Sequence, residues 1–200
     1  MKSQIIISSL IDEIIDEHRT ARPPTLHDDW PGYRNHAQRV FVFGSALLER
    51  WHVTDARAHE KLAIAAAFHD IHVFETLDYL QLNNDSLFRW LYDRDQERWF
   101  PEIATAMSLH HQIRAYRGNH AWLVEAIRKA DWVEVTMGRI RHGIPRSIIQ
   151  EAHQQLPTNQ FAKASGRRIA LNAVTHPTNP FPFWRSHKAL SHIARVAPQL

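Results

Sequence analysis

Four short stretches of the chain carry imidazoles and carboxylates that are suited to binding a metal ion. In chain order they supply His36, the doublet His69-Asp70, the pair His110-His111, and Asp131. Each stretch lies in or beside a helical pattern of apolar residues, so separate helices can bring these side chains together. Hydrolytic metal centres use imidazole and carboxylate ligands and keep positions open for water and substrate. The set therefore predicts a metal centre within a helical protein.

The doublet His69-Asp70 follows a run of small residues, Ala65 to Ala67, that allows close packing against neighbouring helices. Successive helical residues point about 100° apart, so both members reach one ion only if it lies near the end of their helix. Imidazole together with carboxylate favours Mn, Fe, Co, Ni or Zn over Ca or Mg. Each residue alone is more simply explained as a buried, hydrogen-bonded polar group, whereas the ordered set indicates a metal site.

The stretches GYRNH, FHDIHVF and ADWVEV resemble the HD superfamily, the helical metal-dependent phosphohydrolases named for the doublet. The family pattern is a first His, then His-Asp, then a distant Asp on separate helices. The resemblance covers about residues 32–137 and implies that the metal ligands are His36, His69, Asp70 and Asp131. It also implies hydrolysis of a small phosphate ester, with a nucleotide as one option, by a metal-activated water.

The chain departs from the family pattern just after the doublet. Many members have Gly-Lys where this chain has His72 and Val73, and others have a Glu at the second of these positions, whereas here Glu75 comes two residues later. Mechanisms that use those groups are therefore not carried over. His72 lies one turn after His69, and its alternatives are an outer ligand, a proton shuttle, a substrate contact or a structural histidine.

The pair His110-His111 resembles the paired histidines of the cyclic-dinucleotide phosphodiesterase branch and of two-metal HD proteins. Those sites also use a His between the doublet and the pair, and this chain has none between His72 and His110. We therefore expect one divalent transition-metal ion, with two ions as the alternative. With one ion, His110 or His111 would bind phosphate or hold the attacking water, and either of them or His72 would transfer the proton.

Three arginines are candidates for binding the phosphate. Arg114 and Arg117 lie on the segment that leaves the His pair, and guanidinium matches phosphate geometry. Arg114 would also offset developing negative charge in catalysis. Arg34, two residues before His36, is a further candidate. The simpler alternative for Arg114 and Arg117 is a solvated basic loop.

Two other functions fit the same residues. The first is a di-iron HD-fold oxygenase of the phosphonate- or inositol-cleaving kind, which the missing intermediate His opposes. The second is an HD protein that binds a nucleotide or a partner without turnover. A complete set of ligands argues against the second function, since a site that has lost its activity has no physical reason to keep all of its metal ligands.

Composition bounds the remaining possibilities. The 200 residues fit one domain, with a core at about 32–137 and flanking helices. The absence of Cys excludes disulfides and thiolate ligands. A net charge of +3 without a block of like charge does not indicate nucleic-acid binding. Asp12 and Glu13 interrupt the N-terminal apolar run, so neither a signal peptide nor a membrane span is expected, and we predict a cytoplasmic protein. The oligomeric state is left open.

The periodicity predicts an all-α, single-domain bundle without persistent strand alternation. Connectors are expected at about 21–32, where three prolines forbid a continuous helix, and in the proline-rich stretch 176–184. The expected helices are at about 3–18, 33–51, from the N-cap Thr54 to His69, at 87–91 after a turn at 83–85, from Pro101 to the His pair, at 122–137, 145–155 and 159–174, and at the C-terminus.

Overall fold

The computed structural model describes residues 5–21, 29–182 and 186–196, and all regular structure in these ranges is helical. The predicted all-α fold is therefore confirmed. The helices are α1 Ser9–Thr20, α2 Trp30–Arg50, α3 Ala58–Phe68, α4 Leu80–Tyr92, α5 Phe100–Leu109, α6 Ala121–Val135, α7 Arg146–Gln155, α8 Phe161–Thr175 and α9 Ser186–Val196, with a 3₁₀ turn at Glu97–Trp99. In these ranges no helix combines the length and apolarity needed to cross a membrane.

Helix α3 forms the centre of the hydrophobic core. It packs against α1, α2, α5 and α6, and its small residues Ala65, Ala66 and Ala67 are fully buried. From Leu62 to Phe68 the helix is apolar on all sides, as expected of a helix inside a bundle, and alanine lets neighbouring helices approach closely. The polar doublet that follows α3 therefore lies deep between helices, as the sequence predicts.

Helix α2 begins three residues earlier than the sequence pattern predicts. Asp29 is its N-cap, and the Asp29 side chain accepts a hydrogen bond of 2.9 Å from the Gly32 backbone N–H. Pro31 lies in the first turn, where a missing N–H has no cost. Residues 22–28 of the predicted connector lie outside the described residues.

The predicted turn at 83–85 is wrong, because Asn83 and Asn84 are buried inside α4. Asn83 accepts a hydrogen bond of 3.2 Å from the His72 backbone N–H and donates one to the His69 carbonyl. Asn84 donates to Ser108 Oγ at 3.1 Å. These asparagines serve tertiary contacts rather than a turn, and Asn83 fixes the backbone that follows the doublet.

Helix α3 begins at Ala58 rather than after Thr54. The Asp55 side chain accepts hydrogen bonds of 2.7 Å from the Arg57 backbone N–H and from Lys61 Nζ. Because this carboxylate organises the approach to the helix, residues 54–57 form a turn instead of the first helical turn.

Candidate metal centre

The ends of α3 and α5 and the middles of α2 and α6 meet at one buried cluster. His36 comes from α2 and Asp131 from α6, while His69 and Asp70 follow α3 and His110 follows α5. All five side chains are buried, and His69 and His110 have no exposed surface. The structure thus brings together the four residues predicted as ligands and adds His110 to them.

The ligand atoms of the first group lie close enough to share one ion. His36 Nε2 is 2.9 Å from His69 Nε2, and Asp131 Oδ1 is 3.9 Å and 4.0 Å from these two nitrogens. His36, His69 and Asp70 each offer an atom within 4.8 Å of the others. This group is a candidate position for a metal ion.

Two helix ends orient two of the imidazoles in the same way. His69 and His110 are the C-cap residues of α3 and α5, and each places Nδ1 on a carbonyl three residues earlier, Ala66 O at 2.8 Å and Met107 O. Such carbonyls lack an intrahelical partner at the end of a helix. A carbonyl only accepts, so Nδ1 carries the proton and Nε2 keeps its lone pair. That nitrogen is the one available to a metal.

A buried carboxylate orients the third imidazole. Glu134 Oε2 lies 3.1 Å from His36 Nδ1, close but not aligned as an ideal hydrogen bond. Glu134 Oε1 accepts a 2.9 Å hydrogen bond from Nε of Arg39, a fully buried residue whose guanidinium also donates to the Leu156 carbonyl. Carboxylates behind metal-binding histidines fix the ring and its tautomer in this way.

The cluster has the chemical properties of a cation site. If both rings are neutral and protonated at Nδ1, the Nε2 lone pairs of His36 and His69 face each other at 2.9 Å, which is repulsive unless a metal ion or a proton lies between them. Two nitrogens about 2.1 Å from one ion and at right angles lie about 3 Å apart. Asp70 Oδ1 and His110 Nε2 are buried without a well-aligned hydrogen-bond partner, although they are 3.3 Å apart. The residues therefore fit a transition-metal ion.

The net charge of the cluster also favours binding of a cation. Asp70, Asp131 and Glu134 supply three carboxylates, and within the described residues of the cluster Arg39 supplies the permanent cation. Neutral imidazoles leave an excess of two negative charges when all three carboxylates are ionised. A divalent cation would balance this excess, as would protons on His36 and His110, where burial opposes protonation but the nearby carboxylates raise the pKa values. Leaving the charge uncompensated is costly.

The pKa shifts follow from burial and from these charges. Burial lowers the pKa of His69 to about 3, which keeps the ring neutral as a ligand must be. Burial, with Asp70 and Glu134 nearby, raises the pKa of Asp131 to about 6. Burial opposes ionisation of Glu134 too, but His36, whose pKa is itself raised, and the Arg39 guanidinium outweigh it and lower the pKa of Glu134 to about 2. Glu134 is thus a permanent anion behind His36.

Asp70 belongs to a second group as well. Asp70, His110 and His111 each offer a ligand atom within 4.8 Å of the others. His111 Nδ1 also lies 3.9 Å from Asp131 Oδ2, and His111 Nε2 lies 2.9 Å from the Tyr79 hydroxyl. Two groups that share one carboxylate are a geometric basis for two ions, the alternative that the sequence left open.

A cavity of about 270 Å³ opens onto the cluster. Its polar side consists of His36, Asp70, Tyr79, His111, Asp131 and Glu134. Its apolar side comes from the segment after the doublet, the end of α6 and helix α8, and includes Val73, Leu77, Val135, Met137, Phe161 and Ile169. The cluster is therefore accessible to a small molecule.

The arginines predicted to bind phosphate do not line this cavity. Arg34 forms ion pairs with Asp12 at 3.2 Å and Asp16 at 2.5 Å, between α2 and α1. Arg114 and Arg117 are exposed on the loop between α5 and α6. The loop leaves the His pair in sequence but directs these guanidinium groups to solvent.

His72 belongs to a different group from the predicted ligands. Its Nδ1 contacts Glu75, its Nε2 lies 2.8 Å from Ser86 Oγ, and its ring packs edge-on against His18. His72 lines a separate cavity with these residues, on the side of α1 and α4. His72 therefore does not line the cavity that opens onto the predicted ligands. Helix α3 ends at Phe68, so the one-turn spacing from His69 does not place both rings on one helical face.

Arg39, Tyr79 and Phe161 are the residues at the site that sequence reasoning missed. Arg39 had a usable signal, since it follows His36 by one helical turn among apolar residues and so faces the same side. Tyr79 lies in an irregular segment, and burial raises the pKa of its hydroxyl well above the usual value, so it stays protonated. Phe161 packs its ring 5.0 Å from His36, a contact that local patterns do not predict.

Comparison of this chain with family models, with curated proteins and with solved structures found no match.

Proposed function

We propose that this protein is a metal-dependent phosphohydrolase of the HD type, acting on a small phosphate ester. The observation that carries the proposal is the buried cluster in which imidazole Nε2 atoms and the carboxylates of Asp70 and Asp131 converge beside a cavity. Imidazole and carboxylate ligands next to an accessible cavity are what metal-assisted hydrolysis requires.

His36, His69, Asp70 and Asp131 would hold the first ion. Asp70, His110 and His111 would hold a second one, if two are bound. The nitrogen-rich set favours Mn, Fe, Co, Ni or Zn. Such an ion, when bound, lowers the pKa of water and polarises a phosphoryl oxygen.

The surrounding residues divide the remaining tasks. Glu134 and the carbonyls of Ala66 and Met107 keep the ligand imidazoles in one orientation. His110 is fully buried behind Asp70 and is suited to binding rather than to proton transfer. His111 lines the cavity and, with one ion bound, its ring would take a proton from the attacking water and pass it to the leaving oxygen, with the Tyr79 hydroxyl 2.9 Å from Nε2 as its hydrogen-bond partner.

Metal content tests the proposal directly. Untagged full-length protein should retain about one or two ions per chain, and Asp70→Asn should lose them while keeping its helical circular dichroism, since the core is apolar. Asp78→Asn, at an exposed carboxylate, is the matched control and should retain the metal. The metal-bound protein should release phosphate from esters, and Asp70→Asn should not. Absence of metal after reconstitution would refute the proposal.

The sharing of Asp70 between two groups favours one alternative, a di-iron oxygenase. Two irons per chain, with substrate-dependent oxygen consumption and no phosphate release, would establish this alternative in place of hydrolysis. Phosphate release without oxygen consumption would exclude it.

A further inference from the structure

The cavity beside the metal cluster has two chemically different sides. The ligand side carries the imidazoles and carboxylates, and the opposite side is made of aliphatic and aromatic side chains. Phe161 and Ile169 come from α8, and Val73 and Leu77 come from the segment after the doublet. Arg168 of α8 donates a hydrogen bond to the Val73 carbonyl and ties these two walls together.

Among the described residues that line the cavity there is no Arg and no Lys. A phosphate group in this cavity would therefore be bound by the metal cluster itself, and the rest of the substrate would contact apolar walls. The Ser165 hydroxyl is the uncharged polar side-chain group on the lining away from the ligands, and the Tyr79 hydroxyl is already engaged with His111. A sugar with several hydroxyl groups would lose hydrogen bonds to water here without replacing most of them.

The cavity is large enough for an apolar group of moderate size. Its volume of about 270 Å³ exceeds the roughly 150 Å³ of an engineered apolar cavity that binds benzene. An aryl ring or a branched alkyl chain attached to a phosphate would fit.

Gly166 lies at the solvent-exposed rim of this cavity. It lies inside α8 on the cavity lining, and a Cβ atom added there would meet no atom within 4 Å. Its backbone does not require glycine, since its φ is not positive, and glycine inside a helix is destabilising by about 1 kcal/mol relative to alanine. A larger side chain at position 166 can therefore be placed at the mouth of the cavity without straining the backbone.

We propose that the substrate is a phosphate ester of an apolar alcohol, aryl or branched alkyl, whose body binds between α8 and residues 73–77. The inference rests on the proposed phosphohydrolase function and narrows it, because it replaces the nucleotide option with an apolar leaving group. Gly166 is then a residue that determines specificity.

Calorimetric titration of the metal-bound, full-length protein with non-hydrolysable probes tests the inference. Phenylphosphonate should bind about tenfold or more tightly than methylphosphonate, because the ring buries apolar surface. Gly166→Phe should abolish this difference and leave metal content and methylphosphonate affinity unchanged. Gly166→Ala should keep the difference, and Val174→Phe, at a residue of α8 that is 79% exposed, should behave as wild type.

Two results would overturn the inference. The first is that the apolar walls do not bind the substrate. Equal affinities for the two phosphonates would show this, and so would a phenylphosphonate preference that survives Gly166→Phe in a folded variant. If neither metal nor methylphosphonate binds, but benzyl alcohol binds and is lost in Gly166→Phe, the phosphate-ester assignment and the proposed function both fail. The first result leaves the hydrolase function standing and the second refutes it, so the two failures are distinguishable.

Discussion

Replacing Glu134 with Gln tests whether the buried carboxylate behind His36 organises the cluster. The change removes the charge that pairs with Arg39 and faces His36 Nδ1 at 3.1 Å. Arg39 is fully buried, so its guanidinium would remain in the core with amide and carbonyl oxygens as partners. Breaking a buried ion pair costs about 3–5 kcal/mol, and we expect about 3 kcal/mol because the amide oxygen still accepts a hydrogen bond.

The same substitution should weaken metal binding. Loss of a carboxylate behind a ligand histidine typically costs about 10–100-fold in metal affinity. Urea denaturation of the metal-depleted protein gives the stability change, and competition with a chelator gives the affinity change. Separating these measurements distinguishes the packing role of Glu134 from its effect on the His36 ring.

Two further variants serve as controls. Glu60→Gln removes a carboxylate from a surface pair with Arg57 and should change stability by about 1 kcal/mol or less. Adding Arg39→Met to Glu134→Gln should recover part of the stability, because the unpaired charge is removed. A stability loss below about 1 kcal/mol for Glu134→Gln, with unchanged metal affinity, would refute the assigned role.

Other parts of the structure make independent predictions. Asn83→Ala leaves two buried backbone groups unpaired and should lower the free energy of unfolding by about 2–4 kcal/mol, measured by urea denaturation. Arg114→Ala and Arg117→Ala should leave KM and kcat for a phosphate ester unchanged, and a higher KM would return these arginines to the site. Burial opposes ionisation of Glu125, but hydrogen bonds from Arg128 outweigh it and lower the pKa below 4.5. That stabilisation is present above pH 4.5 and is lost as pH falls further, so the stability difference between wild type and Glu125→Gln should shrink below pH 4.5.

The helical apolar patterns, together with the resemblance to the HD pattern, predicted which side chains lie together in the cluster. The alanines of α3 require close neighbours, so a polar doublet at the end of this helix had to lie deep in the bundle. His36 and Asp131 follow because their helices carry apolar faces that pack on α3. The position of a side chain relative to the cluster depended more on where its helix ends than on its spacing in sequence from the ligands, as His72 shows. Its predicted role assumed continuing helical geometry, and the backbone turns away after Phe68.

The apolar side of the site could not be predicted in the same way. The helix at α8 was expected, but its contact with His36 through Phe161 joins residues more than a hundred positions apart. The placement of the arginines could not be predicted for a related reason, since where a loop or a surface guanidinium points depends on distant partners. Arg34, for example, is held by Asp12 and Asp16 of α1.

The caps of α3 and α5 have a consequence for how the site can change in evolution. His69 and His110 are oriented by main-chain carbonyls, which no side-chain substitution removes. Their orientation is encoded in where each helix stops, and so it tolerates replacement of the side chains around it. The orientation of His36 instead depends on the side chain of Glu134. A single mutation at position 134 can therefore change how this ligand is oriented. Mutations that change the metal preference of this protein during evolution should therefore occur first at the residues around His36.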